Sequence, residues 1–410
     1  MKFNTKLLHG ATKNGYGQRE ILPPISQVSA FQYENMEELE KVFAHKSMGY
    51  AYTRIGNPTL SAFEQKINAL EGGIGAISCS SGMSAISAAL LAVCESGDEI
   101  IAGKGLYGGT IDLLHDLEKL GIHTVFADVL DEKTISELVT EKTKVVFGEV
   151  ISNPSLTVLN IAEASEAAHK AGIPLFVDST TATPYLVTPL RLGADVVIHS
   201  TSKYINGGGN SIGGIIVDGG QFVWDFQKHT ALSEFLKYGK MAFLLRLRTD
   251  LWENLGGCMA PMNAYLSYIG ADTLGLRMDR ICKNADALAH ALAKEADLTV
   301  NYLTLSTHPY HAAVKKQLGG LGGGILTFRA GSKKRAFAII NALQYAMIAS
   351  NIGDLRTLVI HPASTLYLRS GREEMEAAGV YEDTIRVSVG IENSEDLIAD
   401  FLQAVKSSRE

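Results

Sequence analysis

Lys203 closes the run Ser200-Thr201-Ser202-Lys203, directly after the apolar stretch DVVIH. A primary amine beside small hydroxyls suits imine formation with a phosphorylated aldehyde, because the hydroxyls can hold phosphate oxygens while the amine attacks the carbonyl. Only a neutral amine attacks, and at a pKa of about 10.4 roughly one lysine in 2,500 is neutral at pH 7. Such a lysine needs a desolvated or cation-flanked site; without one it is a surface lysine in a loop. Asp178 lies 25 residues earlier, just after IPLFV. A carboxylate at that point can pair with a protonated pyridine nitrogen and keep the ring an electron sink. An aspartate at a strand end also serves as a helix cap or a metal ligand, so its distance from Lys203, one crossover, is what makes it informative.

Four further groups belong to the same chemistry. Ser81, Gly82 and Met83 lie in SSGMS, between a strand-like and a helix-like stretch. Backbone N–H groups at a helix start bind phosphate with the dipole assisting, and a plain turn is the other reading. The run is neither GxxxxGKS/T nor GxGxxG, which disfavours a nucleotide loop. Tyr107 of LYGGT can stack on a flat ring and shuttle a proton, or simply pack. Tyr52 and Arg54 of YAYTR are two apart, so an extended chain points both the same way. They can grip a phosphate, and an arm suits reaching a neighbouring subunit; a solvated salt bridge is the alternative. Arg386 sits in TIRVSVG, where a charge on a buried strand is costly unless paired. A substrate carboxylate held bidentately satisfies it, and so does an internal Asp or Glu. No HExxH and no GxSxG occurs, so zinc and serine hydrolase readings fall away.

These residues must be positioned by a sheet. Strand-like runs fall at 74–79, 99–103, 123–127, 144–148, 173–177, 195–199 and 213–217, with helical patterns between most of them. Near-continuous apolar strands are expected when helices cover both sheet faces, and the alternation predicts a mostly parallel α/β sheet. Ligands in such sheets bind beyond the carboxyl ends of the strands. Asn57-Pro58 predicts a capped helix start, with Gly72 its stop. Asn160 and Gly172 bracket a helix in the same way. Residues 1–57 read as an irregular arm reaching a neighbouring subunit, 58–255 as the cofactor-binding α/β domain, and 256–410 as a smaller C-terminal α+β domain. The latter is expected to hold a long helix over 262–296, the strands ILTF and TIRVSV, and helices near 333–343 and 394–406.

Composition is consistent with this. The 410 residues are 46% hydrophobic and 20% charged, which excludes a disordered chain. A net charge of −7 suggests neither nucleic acid nor an anionic membrane surface. Cys79, Cys94, Cys258 and Cys282 form no CxxC pair, which reads as a reducing compartment. The start MKFNTKLLHG lacks an apolar leader, so a cytoplasmic protein is expected. Residues 72–94 carry no charge over 23 residues, but their glycines and serines fit a strand, turn and helix better than a membrane span.

Together the motifs YAYTRIGNPT (50–59), SSGMSA (80–85), LYGGT (106–110), VDST (177–180), HSTSKYINGG (199–208), HPAS (361–364) and IRVSVGIE (385–392) resemble the Cys/Met metabolism family of pyridoxal-phosphate enzymes. The resemblance spans essentially the whole chain and implies the type I aminotransferase-like fold with pyridoxal 5′-phosphate as cofactor. It implies that Lys203 forms the imine and carries protons between substrate carbons, that Asp178 pairs with the pyridine nitrogen, and that Tyr107 stacks on the ring. Ser81, Gly82, Met83, Ser200 and Ser202 would surround the phosphate, with Tyr52 and Arg54 completing the grip from an adjacent subunit of a homotetramer built as a dimer of dimers. Asn153 would lie near the cofactor's 3-oxygen, while Asn153, Asn351 and Arg386 would meet the substrate.

Within the family, methionine γ-lyases typically place a cysteine after Tyr-Gly, where this chain has Gly109. Cystathionine enzymes commonly have Glu-Ser before Leu-Gly, where this chain reads Ser350-Asn351-Ile352-Gly353. The segments SNIGD, LVIHPAST and IIVDGGQFVW look most like O-acetylhomoserine sulfhydrylases, although Ser179 replaces their usual asparagine and Ser-Thr-Ser-Lys a commoner Ser-Ala-Thr-Lys. The implied reaction is γ-replacement on O-acetyl-L-homoserine by sulfide or a small thiol. A γ-lyase on methionine, homocysteine or cystathionine, and a non-catalytic cofactor-binding regulator, are the alternatives.

Overall fold

Seven apolar runs pair into one sheet in the computed structural model, which describes residues 1–11, 20–44 and 46–409. The strands are β1 (Gly75–Cys79), β2 (Glu99–Gly103), β3 (His123–Ala127), β4 (Thr143–Glu149), β5 (Leu175–Asp178), β6 (Val196–Ser200) and β7 (Gly214–Asp218). Their order is β1-β7-β6-β5-β4-β2-β3. Only β7 runs antiparallel to its neighbours, so the predicted mostly parallel α/β sheet is borne out. Ile100, Val146, Phe176, Val197 and Ile216 are fully buried, as both-face coverage by helices requires.

β7 is the device that assembles the site. Cys79, at the end of β1, and Ser200, at the end of β6, both pair with Gly214. A Cβ on Gly214 would stand 2.2 Å from the Ser81 carbonyl oxygen, so glycine alone lets the SSGM turn close over that strand end. The predicted caps hold in part. The Asn57 side chain accepts the Thr59 N–H, Pro58 opens the helix Pro58–Glu71, and Gly72 ends it at φ +84°. The helix Ile161–Lys170 follows Asn160, but that side chain bonds Glu163, and the Ile161 N–H goes instead to Gln317. Residues 72–94 form β1, a turn and the helix Gly82–Leu91. Among the described residues, no helix is long and apolar enough to cross a membrane.

A second sheet has the order β10-β11-β12-β9-β8, built from β8 (Thr299–Asn301), β9 (Ile325–Arg329), β10 (Met347–Ile348), β11 (Leu358–Ile360) and β12 (Thr384–Ser388). It has its own core of residues such as Leu288, Phe328, Ile339, Val387 and Phe401. The single helix expected over 262–296 is corrected to two, Pro261–Ala271 and Leu274–Leu292. The chain breaks at Asp272-Thr273, where Asp272 pairs with Lys66. One turn on, Arg277 reaches back to the carbonyls of Tyr204, Ile205 and Gly270. The expected irregular arm is also corrected, since it contains the helices Phe3–His9 and Met36–Phe43. Its positions 12–19 and 45 lie outside the described residues.

Candidate active site

The carboxyl ends of three adjacent strands converge on one cavity of about 240 Å³, into which β4, β5 and β6 bring Glu149, Asp178 and Ser200. Glu149 and Asp178 are register partners, so both side chains leave the same face of the sheet. Asp178 Oδ1 accepts the Thr180 N–H at 2.8 Å. Burial raises the Asp178 carboxyl above its ordinary range, opposed by the Thr180 hydroxyl and N–H and by His199. Burial and the neighbouring Asp178 push Glu149 up well above its ordinary value. Both carboxyls are thus pushed toward their protonated forms, Glu149 the more strongly.

Lys203 follows β6 in a turn and is half-buried. Its Nζ donates to Asn351 Oδ1 at 2.6 Å. Burial, then the charge of Arg386, holds the amine below its ordinary value. That direction favours the neutral form that imine chemistry needs.

Arg386 lies on β12 between β9 and β11 and is 3% exposed. Its Nη2 donates to the Asn351 carbonyl at 3.0 Å and its Nη1 to Asn153 Oδ1 at 3.4 Å. Its buried Nε has no partner, and burial pulls its pKa down to about 10. No internal carboxylate pairs with this cation among the described residues.

The phosphate end is built from close approach. Ser81 caps the helix Gly82–Leu91 with Oγ accepting the Ser84 N–H at 3.0 Å. A Cβ on Gly82 would meet the Ser200 Cβ at 2.6 Å, so the helix start lies against the end of β6. Met83 and Ser202 line the same space. The Ser202 hydroxyl is already bonded to Gly213, donating to its carbonyl at 3.2 Å and accepting its N–H at 3.0 Å. Tyr107 precedes the helix Gly108–Glu118, and its N–H donates to Glu149 Oε1 at 2.6 Å.

Eleven of the predicted site residues thus share the cavity: Ser81, Gly82, Met83, Tyr107, Asn153, Asp178, Ser200, Ser202, Lys203, Asn351 and Arg386. Tyr52 and Arg54 do not. Both are exposed, with the Arg54 guanidinium 5.6 Å over the Tyr52 ring and bonded to the Glu253 carbonyl at 2.7 Å. Glu149 and Thr181 line the cavity too, and sequence reading missed them as site residues. The signal for Glu149 was present, since it closes a strand as a carboxylate just as Asp178 does.

A glycine-permitted cradle at a helix start, an amine depressed toward neutrality and a carboxylate beyond a strand end fit pyridoxal 5′-phosphate. The profile of the Cys/Met metabolism PLP-dependent enzyme family matches residues 4–406. The O-acetyl-L-homoserine sulfhydrylase of Leptospira meyeri is 37% identical, over 99% of this chain and 97% of that protein. The L-methionine gamma-lyase of Fusobacterium nucleatum subsp. polymorphum is 36% identical, over 98% and 97%. A solved structure from Campylobacter jejuni, provisionally assigned as an O-acetylhomoserine (thiol)-lyase and carrying N′-pyridoxyl-lysine-5′-monophosphate, superposes with a TM-score of 0.94. It is 34% identical and covers 99% of this chain and all of its own.

Proposed function

Because the chain belongs to the Cys/Met metabolism family of pyridoxal-phosphate-dependent enzymes, we propose that it catalyses γ-replacement, converting O-acetyl-L-homoserine and sulfide, or a small thiol, to L-homocysteine, or methionine, and acetate. The observation that carries an amino-acid substrate is Arg386, a buried guanidinium with an unpartnered N–H and no carboxylate of its own. The choice of replacement over elimination rests on Gly109 and on the loop Ser350-Asn351-Ile352-Gly353-Asp354, together with a relative named as an O-acetyl-L-homoserine sulfhydrylase.

The bound cofactor supplies an electron sink for the pair left when the substrate Cα–H bond breaks. Arg386 and Asn153 hold the substrate carboxylate and so fix which Cα bond faces Lys203. Lys203 takes the Cα proton, and its lowered pKa favours the neutral amine that accepts it. Acetate sits on Cγ, two carbons beyond the first site of deprotonation, so a Cβ proton must leave before acetate can depart. Tyr107, facing the cavity from the start of its helix, assists that departure. Sulfide then bonds to Cγ, and the protons return to Cβ and Cα as homocysteine is released.

Tyr52 and Arg54 complete the phosphate grip of a neighbouring copy, within a homotetramer arranged as a dimer of dimers. The arm (1–57), cofactor domain (58–255) and C-terminal domain (256–410) are the functional divisions of that assembly. Product analysis with O-acetyl-L-homoserine, with and without sulfide, tests the reading. Sulfide-dependent homocysteine with little 2-oxobutyrate is expected. Dominant 2-oxobutyrate regardless of sulfide would overturn it in favour of a γ-lyase.

A further inference from the structure

We propose that Glu149 is a positioning residue of this site, fixing the backbone of Tyr107 and Asn153 so that both meet the cofactor ring in the right place. The inference rests on the cofactor placement proposed above. Glu149 closes β4 in register with Asp178 and lines the same cavity. Its Oε1 accepts the Tyr107 N–H at 2.6 Å, and the Asn153 backbone N–H also faces its carboxyl and favours its charged form. Tyr107 and Asn153 come from different segments of the chain, and the Glu149 carboxyl is bonded to the first and faces the backbone N–H of the second.

Besides Glu149, the Tyr107 backbone is held by its carbonyl, which accepts the Thr110 and Ile111 N–H groups of the following helix, but nothing there fixes its N–H or its side chain. It stands at the N-cap of the helix Gly108–Glu118, where its side chain makes no capping bond, and the residue is 41% exposed. The next contact is permissive: a Cβ on Gly109 would lie 2.6 Å from Tyr107 Cε1, so the ring occupies space that any other residue at 109 would fill. With the ring free on that side, its tilt follows the backbone at 107, and the Glu149 oxygen anchors that backbone. At 2.6 Å the bond from the Tyr107 N–H to Glu149 Oε1 is short for an N–H donor. The other groups acting on Glu149 are Asp178 and backbone N–H donors, with no cation among them. Burial beside Asp178 favours the protonated carboxyl, which a glutamine imitates in shape, in charge and in its accepting oxygen.

Holoenzymes of the wild type, Glu149→Gln, Glu149→Asp and Glu149→Ala should be compared by two readouts other than turnover. One is the visible circular dichroism of the bound cofactor; the other is the pyridoxal 5′-phosphate concentration that half-saturates each full-length chain. Glu149→Ala is expected to weaken cofactor binding about tenfold or more and to diminish the visible band, with Glu149→Gln within about threefold of wild type. Glu149→Asp keeps a carboxyl but falls one methylene short of Tyr107, and it should follow Glu149→Ala. Wild-type behaviour of Glu149→Ala or Glu149→Asp would overturn the proposal. So would a loss in Glu149→Gln equal to that in Glu149→Ala, which would assign the effect to charge. Borohydride treatment of the wild type separates the two readings, since failure to fix the cofactor on the Lys203 peptide would sink the site placement and not the role of Glu149 within it.

Discussion

Lys203 and Gly109 set opposite kinds of constraint, one by what its side chain does and one by having none. Lys203 is the only amine lining the cavity among the described residues, so Lys203→Ala is expected to abolish multiple turnover, a loss of at least about a thousandfold in kcat. Steady-state assays of the cofactor-saturated variant test this, and appreciable sustained turnover would remove Lys203 from the proton path. At Gly109, alanine and cysteine share the Cβ that collides with the Tyr107 ring. Both variants are expected to lower homocysteine formation about tenfold. If alanine were silent and cysteine alone acted, the thiol and not the displaced ring would matter. Residues of this kind were legible when a motif carried them, as with Ser-x-Ser-Lys and the arginine inside an apolar strand. Glu149 was missed although it closes its strand as a carboxylate just as Asp178 does, because no motif surrounds it and its N–H partner Tyr107 lies 42 residues away.

β7 shows how an element governs the site without contributing a reacting group. It is wedged between the strands that end in the SSGM turn and in Ser200, and it carries a buried carboxyl, Asp218, at its far end. Asp218 Oδ1 accepts the Gly220 N–H at 2.8 Å, while Oδ2 has no partner. Burial, aided by Asp195, raises its pKa from 3.8 to about 7. A carboxyl raised on folding favours the folded state while protonated. Its contribution is therefore present at about pH 4 and is lost as pH rises through about 7. Asp218→Asn should then raise the melting temperature at pH 8, change it little at pH 4, and flatten the dependence between. A variant less stable than wild type at pH 8 would refute this. The strands of this sheet were legible because burial on both faces writes continuous apolar runs. The strands β8, β10 and β11 were not, being two or three residues long, too short for any period to register. The break between Pro261–Ala271 and Leu274–Leu292 was also hidden, since apolar periodicity continues through it and only the distant partners Lys66 and Tyr204 impose it.

At the scale of the whole molecule, the described arm is incomplete in isolation. Ile21, Val28, Met36, Phe43 and Met48 are all exposed, a concentration of apolar surface that soluble chains usually cover with a partner. Tyr52 and Arg54 lie in that same arm, outside the cavity their own chain forms. If a second copy covers the apolar surface and receives the two side chains, assembly and cofactor binding are one event. Mixing two inactive variants tests this directly. Suppose Lys203→Ala and Arg54→Ala chains are unfolded, mixed in equal amounts and refolded together. If the arm serves its neighbour, each mixed dimer has one site with both residues intact and one site with neither. Half of the dimers are mixed, so recovery of about a quarter of wild-type activity is expected. If each arm completes its own site, every site in every dimer lacks one residue, and mixing restores nothing. Recovery therefore follows from the path of the arm alone and does not depend on which thiol or leaving group the enzyme prefers.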